Sequence, residues 1–288
     1  MLSYQHIYHA GNLADVHKHA MLAWVLAYLT RKDKPLSYLE THSGRGLYWL
    51  DAPEAAKTGE AAAGIGRAEA LFSSRHPYRR ILDEVRARHG RTAYPGSPLL
   101  AALALRGGDR MRLAELHPQE HAALAEAMGP FGADVRREDG LAFALAGTPP
   151  EPRRGLMLID PSYEVKADYE AMPALLRKVH AKWNVGVLML WYPVLASGAG
   201  AAMAALLDAA GLPKAIRHEV RFPPVREGHG MAGSGLYFVN APFGTAGEAA
   251  RLDRIFAALA ERPATMLFAG PRLRVALATV IEWRQKAR

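Results

Sequence analysis

The chain contains no cysteine, which excludes disulfides, thiolate metal ligands and a cysteine nucleophile and fits a reducing compartment. It also lacks a long apolar run. The longest, such as Ala20 to Leu29, fall well short of the ~20 residues that a membrane-spanning helix requires. The first residues, Met1-Leu2-Ser3-Tyr4-Gln5-His6, have no signal-peptide apolar core. Internal repeats are absent, and low complexity is confined to alanine-rich stretches. These absences lead to the expectation of a cytoplasmic protein with no membrane partner. Half of the 288 residues are hydrophobic, enough to build the core of one large domain or two modest ones.

Lys and Arg number 36 against 28 Asp and Glu, a net charge of +8 that favours a polyanionic partner. Its distribution says more. Between residues 67 and 91 stand Arg67, Arg75, Arg79, Arg80, Arg86, Arg88 and Arg91, with only Glu69, Asp83 and Glu84 to balance them. A solvated helical face accounts for any one of these arginines; the whole group beside two histidines reads as a phosphate-facing surface.

Coarsely, Asn12 to Thr30 reads as a helix and Leu36 to Leu39 as a strand that ends in Glu40-Thr41-His42-Ser43-Gly44-Arg45-Gly46. Residues from about Leu47 to Ala93 look helical and irregular, with Pro53 and Pro77 as breaks. An alanine/leucine helix to Arg106 follows Tyr94-Pro95-Gly96-Ser97-Pro98. Strands Arg110–Leu116, Ala133–Arg136, Leu156–Ile159 and Val185–Trp191 then alternate with helices after Pro118, after Asp139, from Lys166 and near Ala199 to Ala210. Strands Ala215–Phe222 and Leu236–Asn240 precede a helix from Glu248 to Ala260. Alternation of this kind implies a parallel sheet covered on both faces. The short connection from Pro223 to Ser234 suits an antiparallel hairpin. The expected fold is α/β: a doubly wound, Rossmann-like, class I methyltransferase sheet of seven strands, the last antiparallel. The interval from Gly46 to Arg110 is too long for one crossover helix. The expectation is therefore a main domain over 1–46 and 94–262, with a small helical subdomain inserted at 47–93 as a lid or RNA platform. A basic segment follows at 263–288, and no role is assigned to it.

Asp160-Pro161-Ser162-Tyr163 is the most informative stretch; it closes the apolar run Leu156-Met157-Leu158-Ile159. A carboxylate and a proline carbonyl at a strand end accept hydrogen bonds from an exocyclic amine, and the tyrosine ring offers a stacking face. That suits methyl transfer to the amino group of a base, although Asp-Pro after a strand is also an ordinary turn and helix-start signal. In doubly wound sheets ligands sit beyond the carboxyl ends of the strands. Gly44-Arg45-Gly46 lets backbone approach a ligand, but a full G-x-G-x-x-G is absent and His42 stands at its first glycine; a tight turn explains the pair equally. Glu115 can hold the two hydroxyls of a ribose, and Asp139-Gly140 an adenine edge; helix capping explains either acid as well. Together the four strand ends match S-adenosylmethionine better than a nicotinamide cofactor. His6, His9, His17 and His19 crowd the first twenty of the chain's positions. His17 and His19 lack the i, i+4 spacing of a helical metal pair and a third ligand, so no metal is expected. With Tyr4, Asn12 and Lys18 these histidines form a polar lip over the cofactor pocket.

The chain carries, in order, Met1-Leu2-Ser3-Tyr4, His9-Ala10-Gly11-Asn12, Ala14-Asp15-Val16 with Lys18-His19, Asp33-Lys34-Pro35 and Thr41-His42 with Gly44. Tyr94-Pro95-Gly96-Ser97-Pro98-Leu99, Glu115-Leu116-His117-Pro118, Asp139-Gly140, Asp160-Pro161, Trp191-Tyr192-Pro193 and Gly230-Met231 follow. This ordered set resembles the RlmJ family of 23S rRNA adenine-N6 methyltransferases, from Met1 to about Pro242. The resemblance implies that His19, His42, Ser97, Glu115, Asp139 and Gly140 bind S-adenosylmethionine. It implies a catalytic Asp160 and contact between RNA and Tyr4; Pro161 and Tyr163 join the catalytic set from the strand-end motif read above, and His6 and Lys18 the RNA side from the polar lip. The substrate would be 23S rRNA, naked or in early large-subunit particles, met by a monomer. The chain departs from the family's Asp-Pro-Pro-Tyr at Ser162, which restores a backbone N–H and loosens the loop; Pro161 is retained, so activity is expected. Two alternatives stay open: a protein-glutamine N5 methyltransferase, and a non-catalytic RNA-binding module with a degenerate pocket.

Overall fold

The computed structural model describes residues 4–223 and 230–261. The chain's first three residues, the central part of the Pro223–Ser234 connection and the basic stretch at 263–288 therefore lie outside the described residues.

Seven strands form the main sheet: β1 (Ser37–Glu40), β4 (Arg110–Ala114), β5 (Asp134–Arg136), β6 (Gly155–Ile159), β7 (Val187–Leu195), β8 (Ile216–Arg221) and β9 (Met231–Val239). Their spatial order is β5-β4-β1-β6-β7-β9-β8. The first five run parallel, and β9 is antiparallel to both β7 and β8. This is the class I methyltransferase arrangement of the doubly wound fold. From β1 the chain moves outward to β4 on one side, and β6 lies on the other. The crevice where such sheets bind ligands thus opens between the ends of β1 and β6. Both strands are buried along their whole length; β6 accordingly reads as an apolar run, whereas β1 buries Ser37 and Glu40 with their side-chain oxygens hydrogen-bonded.

One face of the sheet carries α1 (Leu13–Leu29), α6 (Ser97–Ala104), α7 (Pro118–Met128) and α11 (Thr245–Glu261); the other carries α8 (Gly140–Ala146), α9 (Lys166–Lys182) and α10 (Ala201–Ala209). α1 is apolar almost all round because it is buried almost all round, between the sheet and neighbouring helices. Asn12 starts it, its Oδ1 accepting from the Asp15 N–H at 2.8 Å. Among the described residues no helix is long and apolar enough to cross a membrane.

The segment between β1 and β4 is not purely helical. It opens with β2 (Leu47–Trp49) and closes with β3 (Ala93–Pro95), which pair antiparallel. Between them stand α2 (Pro53–Thr58), α3 (Glu60–Ala63), α4 (Ile65–Ala68) and α5 (Pro77–His89). Strands of three residues are too short to show a period, and their pairing joins residues far apart in the chain. Pro53 and Pro77 start helices rather than break them; at a helix N-terminus the missing N–H loses no bond. Three of the seven arginines turn inward: Arg79 and Arg86 pair with Glu69, Arg79 also with Asp83, and Arg67 donates to the Leu259 carbonyl, while Arg88 pairs with Glu84 on the exposed helix surface. Arg75, Arg80 and Arg91 remain exposed.

Two strands run longer than their sequence pattern implies. β9 begins at Met231 because Gly233 and Gly235 lie where backbone must approach closely. A Cβ on Gly235 would meet the Tyr192 ring at 2.3 Å, and one on Gly233 the Val220 carbonyl at 2.4 Å. β7 continues through Pro193 because β6 accompanies it only as far as Leu190, so the missing N–H has an open side to face.

Candidate active site

The carboxyl ends of the central strands open onto one cavity of about 580 Å³. Every residue assigned to chemistry, cofactor or RNA by the sequence lines it: Asp160, Pro161 and Tyr163; His19, His42, Ser97, Glu115, Asp139 and Gly140; Tyr4, His6 and Lys18.

Asp160 follows β6 and is largely buried. Lys18, from the second turn of α1, reaches its Oδ2 at 2.6 Å and Asp15 Oδ1 at 3.1 Å. Burial would lower the Lys18 ammonium, but Asp160 and Asp15 outweigh it and raise the group above its ordinary value. Burial would likewise raise the Asp15 carboxyl, yet His6 and Lys18 hold it well below the usual carboxylate range. Lys18 is thus a fixed cation between two carboxylates, not a free arm awaiting phosphate. The other Asp160 oxygen, Oδ1, has no hydrogen-bond partner among the described residues.

Successive residues on a helix point about 100° apart, and this separates the histidines of α1. His17 is not part of the polar lip. It is buried towards β9 and α11, with Ser234 Oγ at 2.8 Å from Nδ1 and His218 Nδ1 at 3.0 Å from Nε2. His19 does line the cavity, 2.9 Å from the Tyr94 hydroxyl, and burial pushes its pKa down to about 3, so its ring is neutral.

The β1 end supplies Thr41 to Gly46. Gly44 adopts φ +62°, and its N–H donates to Glu115 Oε2 at 2.8 Å; His117 N–H donates to Oε1 at 2.8 Å. Glu115 therefore crosses from β4 to the glycine turn and lines the cavity; burial raises its carboxyl against these two bonds. Asp139 caps α8, its Oδ1 accepting from Ala142 N–H at 2.9 Å, and lines the cavity as well. Gly140 must be glycine, since a Cβ would sit 2.4 Å from the Thr41 carbonyl and 2.7 Å from His42 Cε1. Ser97 Oγ donates to Glu40 Oε1 at 2.5 Å, and the Tyr38 hydroxyl to Oε2 at 2.7 Å. Glu40 has no exposed surface, and burial pushes its carboxyl up to about 8 against these two bonds.

Tyr163 takes φ +55° and is only 8% exposed. Its hydroxyl donates to the Trp191 carbonyl at 2.9 Å and its ring packs 4.6 Å from that of Tyr169, so it is a buried wall rather than an open platform. Ser162 beside it is exposed.

Sequence reasoning passed over Asp15, Glu40 and Glu60. Asp15 and Glu40 are acids on otherwise buried elements, and that mismatch is the signal that marks them; Glu60, on the half-exposed α3, carries no such signal. Among the described residues no three His, Asp or Glu side chains are placed to hold a metal ion.

The model of the family described as "Ribosomal RNA large subunit methyltransferase D, RlmJ" matches residues 33–264. Ribosomal RNA large subunit methyltransferase J of Escherichia coli K12 is 38% identical over 247 residues, covering 84% of this chain and 88% of the relative. Its namesake from Haemophilus influenzae is 37% identical over 248 residues with the same coverage. The crystal structure of protein LPL1258 from Legionella pneumophila superposes with a TM-score of 0.79 at 35% identity, covering 88% of this chain and 94% of that one.

Proposed function

Because the chain belongs to the RlmJ family of ribosomal RNA large subunit methyltransferases, we infer that it methylates the N6 amine of an adenine in 23S rRNA. The observation that carries this reading is the partly buried Asp160, clamped by Lys18, in one cavity with Glu115, Asp139 and Ser97.

The donor set fits S-adenosylmethionine. Glu115 suits a vicinal diol and Asp139 an adenine amine, while Ser97, its hydrogen directed at Glu40 Oε1, offers its lone pairs to an ammonium. The volume falls within the range of sites for ligands of this size. When bound, S-adenosylmethionine supplies an electrophilic methyl group and a neutral thioether as leaving group.

The protein's task is to present a poor nucleophile, since the lone pair of an adenine amine is delocalised into the ring. Asp160 Oδ1 and the Pro161 carbonyl accept its two N–H bonds and favour a pyramidal nitrogen. Lys18 holds Asp160 Oδ2 and orients the side chain, which acts first as an acceptor and takes a proton only once the methylated amine has become acidic. The gain is positioning and electrostatics. Tyr163 walls the base side, and Tyr4 and His6 lie over the mouth. Exposed Arg75, Arg80 and Arg91 give the inserted segment its contact with RNA phosphates. The substrate is free 23S rRNA or an early large-subunit particle, and the enzyme works as a monomer in the cytoplasm.

Transfer of tritium from labelled cofactor tests this directly, with deproteinised 23S rRNA and total protein offered separately. Label in rRNA at an adenine N6 is the expected result. Label in protein, or tight RNA binding with no label, refutes it.

A further inference from the structure

A line of contacts that ends at Asp160 begins in the inserted segment. Glu60, the first residue of α3, is only 4% exposed. A carboxylate is costly to bury unless it is hydrogen-bonded. Among the described residues its side-chain oxygens accept from His9 Nδ1, at 3.0 and 3.1 Å, and from Asn12 Nδ2 at 3.1 Å. Both partners belong to the strip that precedes and starts α1, not to the insertion. The same junction is fastened elsewhere: Thr58 Oγ1 donates to the Tyr8 carbonyl at 2.7 Å and Ile65 N–H to the Gly11 carbonyl at 2.8 Å. Gly64 allows that approach, since a Cβ there would sit 2.2 Å from the Gly11 carbonyl.

From His9 the line runs to the reaction centre. The His9 ring lies face to face with Tyr4, centroids 5.6 Å apart and planes 6° apart. The Tyr4 hydroxyl lies 2.7 Å from His6 Nδ1, and His6 Nε2 lies 2.8 Å from Asp15 Oδ2. Asp15 is a carboxylate and can only accept, so His6 carries its hydrogen on Nε2, and a neutral His6 accepts at Nδ1 from Tyr4. Asp15 also accepts from Gly11 N–H at 2.9 Å and pairs with Lys18, which pairs with Asp160. Among the described residues, Tyr4 N–H also donates to Glu164 at 3.2 Å and the Gln5 side chain to Gln119 at 3.4 Å, both exposed, and the Gln5 carbonyl accepts from Tyr8 N–H at 3.3 Å.

We propose that Glu60 is a positioning residue for methyl transfer: through His9 and Asn12 it holds the strip from Tyr4 to Asn12 across the cavity and aligns the Tyr4–His6–Asp15–Lys18 chain on Asp160. This rests on the functional reading above, and it makes the inserted segment part of the active-site scaffold as well as an RNA contact. Of the residues assigned to the cofactor, His42, Ser97, Glu115 and Asp139 lie outside the chain and His19 meets it at Asp15 across 3.7 Å, so most of the cofactor site is separable from it.

The test compares Glu60→Ala, Glu60→Gln and His9→Phe, which keeps a ring for Tyr4 but cannot bond Glu60. A misplacement of about 1 Å costs up to about a hundredfold in rate. Glu60→Ala and His9→Phe should lower kcat on 23S rRNA at least about tenfold, with the Kd for S-adenosylhomocysteine within about threefold of wild type. Glu60→Gln, which keeps an acceptor, should recover much of the loss. Amide exchange of residues 4–12 should rise at least about tenfold in Glu60→Ala, with residues 37–44 unchanged. A kcat within about twofold of wild type, or a fall in kcat matched by cofactor affinity, overturns the proposal. If wild type itself labels no rRNA, the functional reading fails alone, and unchanged exchange of residues 4–12 then decides against this proposal independently.

Discussion

Glu40 ends β1 as a fully buried carboxyl whose pKa burial raises from 4.5 to about 8, against hydrogen bonds from Ser97 and Tyr38. Between those values the folded protein retains a proton that the unfolded chain has released. Stability therefore falls as pH rises, by about 1.36 kcal/mol per unit. The interval is 8 − 4.5 = 3.5 units, so the contribution amounts to roughly 5 kcal/mol, complete below about pH 4.5 and lost by about pH 8. Glu40→Gln removes the titration and keeps the shape. Its carbonyl accepts from one hydroxyl, and its NH2 donates to the other once that hydroxyl turns from donor to acceptor. Urea unfolding of both proteins at steps from pH 5 to pH 9 isolates the effect, because groups common to the two cancel in the difference. The difference between wild type and variant should move by several kcal/mol towards the variant across that range. Parallel curves would show that Glu40 is ionised throughout and that the burial argument is wrong.

Asp160→Ala should abolish transfer to rRNA, at least about a thousandfold in kcat, while calorimetric affinity for S-adenosylhomocysteine stays within a few-fold; comparable turnover removes Asp160 from the chemistry. Lys18→Met leaves Asp15 and Asp160 as buried carboxylates without their cation, and thermal unfolding at pH 7 should register a loss of about 3–5 kcal/mol. A loss under about 1 kcal/mol would mean that water already screens the pair. Gly140→Ala forces a methyl group against the Thr41 carbonyl and His42, so it should destabilise by about 1–3 kcal/mol and weaken cofactor binding; unchanged affinity would separate Gly140 from the cofactor site.

The strand alternation, the buried β1 and β6 and the hairpin at the sheet's end were legible because the period of apolar residues is a local property. So were the acids at strand ends, since a polar residue stopping an apolar run stands out in one dimension. The start of β9 was hidden, because Gly233 and Gly235 weaken a strand in isolation and are favoured only where Tyr192 and Val220 press against them. The short β2–β3 pair was hidden because each strand is completed by residues distant in sequence.

Local chemistry along the chain accounts for which groups reach the crevice of the sheet, since helix and strand periods set the direction of each side chain. It does not account for how those groups neutralise or constrain one another. Lys18 reads as part of a polar lip, yet it is locked between Asp15 and Asp160; three arginines of the basic segment are turned inward by their neighbours; His17 faces Ser234 and His218, whereas His19 faces Tyr94 and the cavity. Charge pairing and burial act over a few ångströms in space whatever the separation along the chain. Only the packed fold could decide which carboxylate holds which cation, and so which groups remain free for chemistry.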